Sequence, residues 1–261
     1  MAKSLLTDLE SDVTRFASNL SSLIFNERDL QVRLASYLKY ECEKRYDCVD
    51  MEYLIPFTAL GITPTTPPDP DFPWKNDIYL DIVVRRGDEY AAIELKYATR
   101  EITEQPMRFG KQLERDAKIV KTQGAADIVM YNYCKDIRRI ERLCQKYPKL
   151  KGGIALIITN NHHYWKKSAD NVIFASFSLH EVENEEHTIG NGMMAWNGAA
   201  PKIIDSHPNF ILNGNYLCHW EKTQIPERTK RTTYSDKGNP FRFMLTIINA
   251  STLPSLPKND Y

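Results

Sequence analysis

The chain has 261 residues, of which 42% are hydrophobic, and its 34 basic and 34 acidic residues give a formal net charge of zero. A chain of this length can bury a substantial core as one domain, and its neutrality argues against a protein that coats nucleic acid non-specifically. The five scattered cysteines form no recognisable zinc site and suit a reducing cytoplasm. No apolar run approaches the roughly 20 residues that span a bilayer. The sequence therefore predicts a single cytoplasmic domain with no membrane segment.

Two helices are predicted at the start of the chain. Residues 3–25 carry apolar side chains at helical spacing. Asn26 then predicts the N-cap of a second helix, whose leucines form one stripe. Glu27 begins that stripe, and a glutamate in the first turn is ordinarily explained by the favourable helix dipole.

The next part of the chain predicts strands. Residues 49–58 predict a first strand, and the proline-rich segment 63–73 can be neither a helix nor a central strand. Two segments rich in β-branched and aromatic residues follow, 78–85 and 90–97, on either side of Gly87-Asp88. A Gly-X pair suits the two-residue loop of a type II′ turn, so these segments predict a β-hairpin.

The register of this hairpin brings like charges together. If Arg86 faces Glu89, then Asp81 lies directly opposite Glu94, and alternation places Lys96 on the same face. Directly opposed side chains have Cβ atoms about 4.5–5.5 Å apart, where like charges repel. A divalent cation between the two carboxylates would convert that repulsion into binding.

The second half of the chain predicts a crossover followed by further strands. Residues 98–123 are ambiguous, because 109–120 reads as a helix while 117–122 also reads as a short strand. A long helix over about 125–147 precedes the apolar segment 153–159, which is typical of a strand covered on both faces. Further strands are predicted at 171–179, 215–221 and 241–249.

The hairpin carries a resemblance to a known superfamily. Asp81, a gap of twelve residues and then Glu94-Leu95-Lys96 resemble the signature of the PD-(D/E)XK nucleases, the restriction-endonuclease-like superfamily. Leu80 stands where the signature has proline, and the Pro-Asp pair at Pro70-Asp71 lies in the proline-rich loop instead. Later segments extend the similarity, to an uncharacterised bacterial branch of this superfamily, over most of the chain: 123–127, 135–141, 156–165 and 241–245.

The resemblance implies a fold and an activity. The fold would be α/β and restriction-endonuclease-like, with a mixed central sheet flanked by helices and a β-rich C-terminal extension. Residues 1–48 would supply N-terminal helices, 49–160 the catalytic core and 161–261 the extension, all within one domain, 1–261. The activity would be metal-dependent endonucleolytic hydrolysis of DNA, in restriction or phage defence, with Mg²⁺ or Mn²⁺ as cofactor.

The resemblance also implies roles for individual residues. Asp81 and Glu94 would bind the metal, with the Leu95 backbone carbonyl as a third ligand, because Mg²⁺ prefers hard oxygen donors. Lys96 would neighbour the attacking water and stabilise developing negative charge. Glu27 matches the first-helix glutamate that often reaches the metal site in this superfamily, so its catalytic role stands beside the helix-dipole explanation.

Basic side chains on the long helix are candidates for contact with the DNA backbone. Arg138, Arg139 and Arg142 give that helix a basic character, although such a run is usually a solvated face. Gln123 precedes the helix and would either border the site or belong to the capping loop. Cutting both DNA strands would favour a homodimer with one site on each strand.

Two alternatives remain open from the sequence. The chain could keep a nuclease fold without catalysis and act as a nucleic-acid-binding or complex-forming module. It could also be an unrelated α/β protein in which the hairpin charges form a structural salt-bridge cluster. A solvated outer face is disfavoured because apolar residues occupy both faces of the hairpin, so its charges are buried and costly without partners.

Overall fold

A computed structural model describes residues 3–42, 44–60, 74, 76–114, 117–169, 171–183, 185–226 and 240–254. The described part is a mixed α/β fold. The proline-rich segment 63–73, with its Pro70-Asp71 pair, lies outside the described residues. The helices are α1 (Leu5–Ser18), α2 (Glu27–Tyr40), α3 (Ala126–Lys146) and the short α4 (Pro201–Ser206). The strands are β1 (Cys48–Ile55), β2 (Ile78–Arg86), β3 (Glu89–Tyr97), β4 (Ile102–Glu104), β5 (Met107–Arg108), β6 (Lys111–Gln112), β7 (Ala117–Val120), β8 (Leu150–Thr159), β9 (Thr188–Met194), β10 (Phe210–Leu217), β11 (Trp220–Lys222) and β12 (Arg242–Asn249).

The central sheet has six strands in the order β1-β2-β3-β8-β12-β11. Neighbouring strands are antiparallel except for β3 and β8, which are parallel and are linked through α3. This is the crossover that the sequence predicts, and it makes the sheet mixed.

Each face of the sheet has its own hydrophobic core. Alternate residues of the hairpin, such as Ile82 and Ile93, pack beneath α1 and α2, while Val83 and Ala92 pack beneath α3. The small β9–β10 sheet covers the outer side of α3. Strand β8 is buried almost throughout, as a strand between two layers of covering elements should be.

The first helix and the second are separated by a loop. Residues 3–25 were predicted as one helix, but α1 ends at Ser18. The apolar residues after it, Leu20, Leu23 and Ile24, are buried in the core as part of the loop, so the helical spacing does not mark a continued helix. The predicted N-cap is confirmed, since Asn26 Oδ1 accepts a hydrogen bond from the Asp29 N–H.

Two other segments differ from their predictions. Of the two interpretations of this segment, the helix over 109–120 is wrong and the short strand within 117–122 is confirmed as β7. β4 pairs with β7, and β5 pairs with β6, so the described residues here form two short ladders. The strand predicted at 171–179 is also wrong, because its only regular element is a 3₁₀ turn at Ala175–Phe177. Within the described residues, no helix is both long and apolar enough to cross a membrane.

Close approach of α3 to the sheet depends on a glycine in β8. A Cβ at Gly153 would lie 2.6 Å from the Ala92 carbonyl oxygen and 2.9 Å from Ile140 Cγ2. We expect Gly153→Ala to lower the free energy of unfolding by about 1–3 kcal/mol, because the helix must shift to admit the methyl group. Chemical denaturation monitored by circular dichroism measures this change.

The matched control is Gly198→Asn, at a loop position with open space and a φ of +67° that asparagine tolerates. The control should change stability by no more than about 0.5 kcal/mol. Equal stability of Gly153→Ala and the native chain would show that α3 is not held this closely.

Candidate active site

The central sheet forks between β2 and β3. The two strands pair from Arg86–Glu89 to Ile82–Ile93, which confirms the predicted register. Gly87, at φ +60°, occupies the turn. The next pair would be Asp81 and Glu94, but the ladder ends there, while β2 continues along β1 and β3 continues along β8. The predicted like-charge pair therefore marks the point where the strands separate.

Side chains replace the missing strand partner at the fork. The Leu95 N–H donates to Asp81 Oδ2 at 2.7 Å, and the Tyr97 N–H donates to Glu27 Oε2 at 3.1 Å. The Asp81 carbonyl accepts from Gln31 Nε2 at 2.7 Å, and the Leu95 carbonyl accepts from Lys96 Nζ at 2.9 Å. Because buried backbone groups must be hydrogen-bonded, these side chains allow the sheet to open.

Helix α3 brings a second set of charges onto the same site. Lys96 Nζ lies 2.5 Å from Asp136 Oδ2, and Arg139 Nη1 lies 2.6 Å from Glu94 Oε1. The same Arg139 nitrogen lies 3.5 Å from Asp136 Oδ1. Glu94 and Asp136 are only 2% and 5% exposed at their side chains, so these ion pairs are largely shielded from water.

These groups line a cavity of about 420 Å³. Four carboxylates line it, together with three cationic side chains, and the remaining polar lining includes Gln123 and Asn132. The carboxylates are Glu27, Asp81, Glu94 and Asp136, and the cations are Lys96, Lys135 and Arg139. The cavity is thus an acidic site in which cations nearly balance the carboxylates.

Burial makes the carboxylates poor acids. It raises the pKa of Glu94 well above its usual range, although the Arg139 guanidinium opposes the change. Burial also raises the pKa values of Asp81 and Glu27, against the opposing charge of Lys96. The charge of Asp81 adds to the rise in the pKa of Glu94. Because the carboxylates are close together and poorly solvated, a nearby positive charge stabilises their ionised forms.

The two lysines respond to the site in opposite ways. Burial would lower the pKa of Lys96, but Asp136, Glu27 and Glu94 outweigh it and raise that pKa above its ordinary value. The pKa of Lys135 is lowered by burial, with the Arg139 charge adding to the effect. Lys96 therefore keeps its proton and acts as a hydrogen-bond donor and cation.

Most of the predicted catalytic residues come together. Asp81, Glu94, Lys96 and Glu27 all line the cavity, and so does Gln123. Glu27 is also the first residue of α2, so its position is compatible both with a favourable interaction with the helix dipole and with a role in the site. Leu95 is not among the residues that line the cavity, and its carbonyl accepts a hydrogen bond from Lys96 Nζ.

The basic run on α3 is not the solvated phosphate-binding face that the sequence suggested. Arg138 is 1% exposed and pairs with Glu141, whose carboxylate also accepts hydrogen bonds from Tyr216 and from the backbone of β10. Glu141 thus fastens α3 to β10, and Arg138, its partner on the same helix, is buried and does not lie on the solvated face predicted for contact with DNA. Arg142 is half-buried, and Arg139 points into the cavity.

Sequence reasoning missed Asp136, Lys135 and Asn132. The available signal was their spacing with Arg139: positions 132, 135, 136 and 139 follow the i, i+3, i+4, i+7 pattern of one helix face. A polar stripe of this kind on a helix that packs against a buried strand marks a polar cavity.

The carboxylates at the fork suit a hard divalent cation. Asp81 and Glu94 offer carboxylate oxygens in one cavity, and oxygen donors are what Mg²⁺ prefers. In this arrangement Arg139 bonds to Glu94 and Lys96 to the Leu95 carbonyl. Among the described residues, no group of three or more His, Cys, Asp or Glu side chains is arranged to hold a metal ion.

Comparison of the chain with models of protein families, with curated proteins and with solved structures found no match. The interpretation of the site therefore depends on its own geometry.

The Glu94–Arg139 ion pair gives the site a measurable stability. We expect Arg139→Met to lower the free energy of unfolding by about 3 kcal/mol at pH 8, because it leaves a buried carboxylate without its partner. The double variant Glu94→Gln/Arg139→Met should recover more than half of that loss. Urea denaturation of the native chain, Arg139→Met, Glu94→Gln and the double variant gives the coupling energy directly.

An exposed pair provides the control. Arg28 and Glu52 form an ion pair at 2.9 Å with side chains 61% and 44% exposed. Arg28→Met should cost no more than about 1 kcal/mol. A coupling energy near zero for Glu94 and Arg139 would contradict the buried pairing.

Proposed function

We propose that the chain is a restriction-endonuclease-like, metal-dependent nuclease that hydrolyses phosphodiester bonds in DNA. The observation that carries the proposal is the assembly of Asp81, Glu94 and Lys96 in one cavity, at the fork of a mixed sheet. The parallel β3–β8 pair and its crossover helix support the fold assignment. A role in restriction or phage defence is the biological setting that we infer for such an activity.

In this proposal, Asp81 and Glu94 hold a Mg²⁺ or Mn²⁺ ion. When bound, the ion supplies an activated water and neutralises charge on the phosphate. Lys96 retains its proton, so it donates a hydrogen bond to the attacking oxygen or the phosphate instead of acting as a base. Glu27, with a raised pKa and a place in the same cavity, is the group suited to accept the proton of the water.

Arg139 has a defined part in the same proposal. Its guanidinium bonds to Glu94 Oε1, at one of the oxygens that would bind the ion. A guanidinium is also suited to bidentate binding of phosphate. We therefore assign Arg139 to the scissile phosphate, which places a residue first predicted as a backbone contact at the reaction centre.

Substitution of the fork residues tests the catalytic assignment. We expect Asp81→Asn and Lys96→Gln each to reduce the rate of cleavage of duplex DNA in Mg²⁺ by at least about 100-fold, because each removes charge stabilisation from the transition state. Cleavage of a labelled plasmid gives the rate, and circular dichroism confirms that the variants are folded.

Controls for this test come from an exposed ion pair between the hairpin turn and the residue before β8. Asp88→Asn and Lys149→Gln alter an exposed pair whose side chains are 79% and 67% exposed, respectively. Both should cleave like the native chain. If Asp81→Asn and Lys96→Gln cleave as fast as these controls, the mechanism is wrong.

The second candidate function is a nuclease fold that binds nucleic acid or a partner without catalysis. One observation favours it: Arg139 and Lys96 already compensate the charges of Glu94 and Asp136 within the protein. In that case the site would have little affinity for a divalent ion.

Metal-dependent stability separates the two candidates. At a Mn²⁺ concentration about 100-fold above its dissociation constant, we expect a stabilisation of about 2.7 kcal/mol and a rise in melting temperature of several degrees. Asp81→Asn should abolish the rise, and NaCl of equal ionic strength should not reproduce it. The absence of any shift in the native chain would favour the non-catalytic module.

A further inference from the structure

A β-arm leaves the central sheet between β3 and α3. It consists of β4 paired with β7 and, further out, β5 paired with β6, and neither ladder belongs to the six-stranded sheet. All four residues of β5 and β6 are exposed. The outer β5–β6 hairpin is therefore exposed to solvent, while Ile102 and Val120 of the β4–β7 ladder are buried in the core and anchor the base of the arm.

The arm starts at the rim of the active-site cavity. At its base, the Gln123 N–H donates to the Thr99 carbonyl at 2.9 Å, and Thr99 Oγ1 donates to the Lys121 carbonyl at 3.1 Å. Ala98 and Gln123, on either side of this closure, both line the cavity. The base of the arm is therefore part of the cavity wall.

The tip of the arm presents an aromatic ring to solvent. Arg108 pairs with Lys111, so Phe109 and Gly110 form a two-residue loop, with φ values of +50° and +76°. Both positive values indicate a type I′ turn, which favours asparagine at the first position and disfavours a bulky residue. Phe109 is nevertheless there, fully exposed, beside Met107 at 61% exposure. Neither turn geometry nor packing explains this phenylalanine.

The tip also lies near the second helix that contributes to the site. The Arg108 guanidinium is 6.0 Å from the centre of the Phe25 ring. Phe25 is 41% exposed and directly precedes Asn26, the N-cap of the helix that begins with Glu27. The arm therefore reaches from the Gln123 side of the cavity to the Glu27 side.

The charges around the tip indicate which kind of ligand the Phe109 ring contacts. Arg108 and Lys111 flank it directly. Lys118, nearer the base of the arm, is paired with Glu101 at 2.8 Å, so the positive charge beside the ring comes from Arg108 and Lys111. An aromatic ring between cations matches a polyanion with stacked aromatic groups, as nucleic acid is.

We propose that the arm is a DNA-binding element that inserts Phe109 into a base step of duplex DNA, with Arg108 and Lys111 on the adjacent phosphates. This proposal rests on the proposed function only for the position of the scissile bond near the arm. Apolar side chains that wedge between base pairs unstack and bend the duplex. Insertion at the tip would bend the duplex beside the cavity.

Affinity measurements on the full chain test the proposal. Binding to a fluorescein-labelled duplex of 20 base pairs is measured by anisotropy in a chelator, so that no cleavage occurs. Phe109→Asn should weaken binding at least about fivefold, because it removes stacking. Asparagine suits the turn better than phenylalanine, so loss of folding does not explain a loss of binding. Phe109→Trp should retain the affinity.

Tyr40 offers a matched control. It is 75% exposed at the end of α2, about 20 Å from Glu27 along the helix. Tyr40→Asn should bind DNA like the native chain. In the tryptophan variants, DNA should quench the emission added by Phe109→Trp and leave that added by Tyr40→Trp unchanged, since only the former stacks on bases.

Several outcomes would overturn the proposal. These are native affinity in Phe109→Asn, an unquenched tryptophan at position 109, or no DNA binding by the native chain. A change of Phe109→Asn from dimer to monomer with unchanged DNA affinity would assign the ring to a second copy of the chain. The cleavage test of Asp81→Asn is independent of the Phe109 comparisons, so either can fail while the other stands. Absence of DNA binding by the native chain would overturn both proposals.

Discussion

The fork between β2 and β3 is the constraint on which the site depends. Separating two strands exposes backbone N–H and C=O groups that must find other partners. Here those partners are Asp81, Glu27, Gln31 and Lys96. Three of the four are also charged groups of the candidate site, so the same contacts open the sheet and position the chemistry. For this reason an amide in place of Asp81 is a better probe than alanine, because it still offers an acceptor to the Leu95 N–H.

The fork also explains why ionised carboxylates are costly in this site. It places carboxylates where water is scarce, and burial raises the pKa values of Glu94, Asp81 and Glu27. Helix α3 contributes Arg139, which pairs with Glu94, and Asp136, which pairs with Lys96 and keeps it protonated. A protein selected only for stability would fill this space with apolar side chains. The retained charges are therefore better explained by a ligand that interacts with them than by folding.

Local patterns predicted the parts of the structure that local forces decide. The Gly87-Asp88 turn fixed the register, and the register fixed which residues meet at Asp81 and Glu94. Asn26 was recognised as a cap because its hydrogen bond spans only three residues. The contribution of α3 was not predicted, because Asp136 and Arg139 reach the hairpin through a parallel crossover whose rotation the sequence leaves open. Residues 109–120 stayed ambiguous between a helix and a strand for a similar reason: the positive-φ turn at Phe109, a residue that rarely adopts it, gave no signal for a hairpin.

The zero net charge of the chain includes several cations that are buried inside the protein. Lys96, Arg138 and Arg139 are paired with carboxylates inside the protein, so they do not contribute to a basic surface. A composition that argues against a non-specific DNA coat is still compatible with a nuclease whose internal charges cancel. Contact with a polyanion would then depend on a small exposed set near the site, and the arm supplies one through Arg108 and Lys111. Because so few phosphate contacts give limited affinity, an inserted aromatic ring would contribute a large share of the binding energy. That contribution would explain why phenylalanine occupies a turn position that disfavours it.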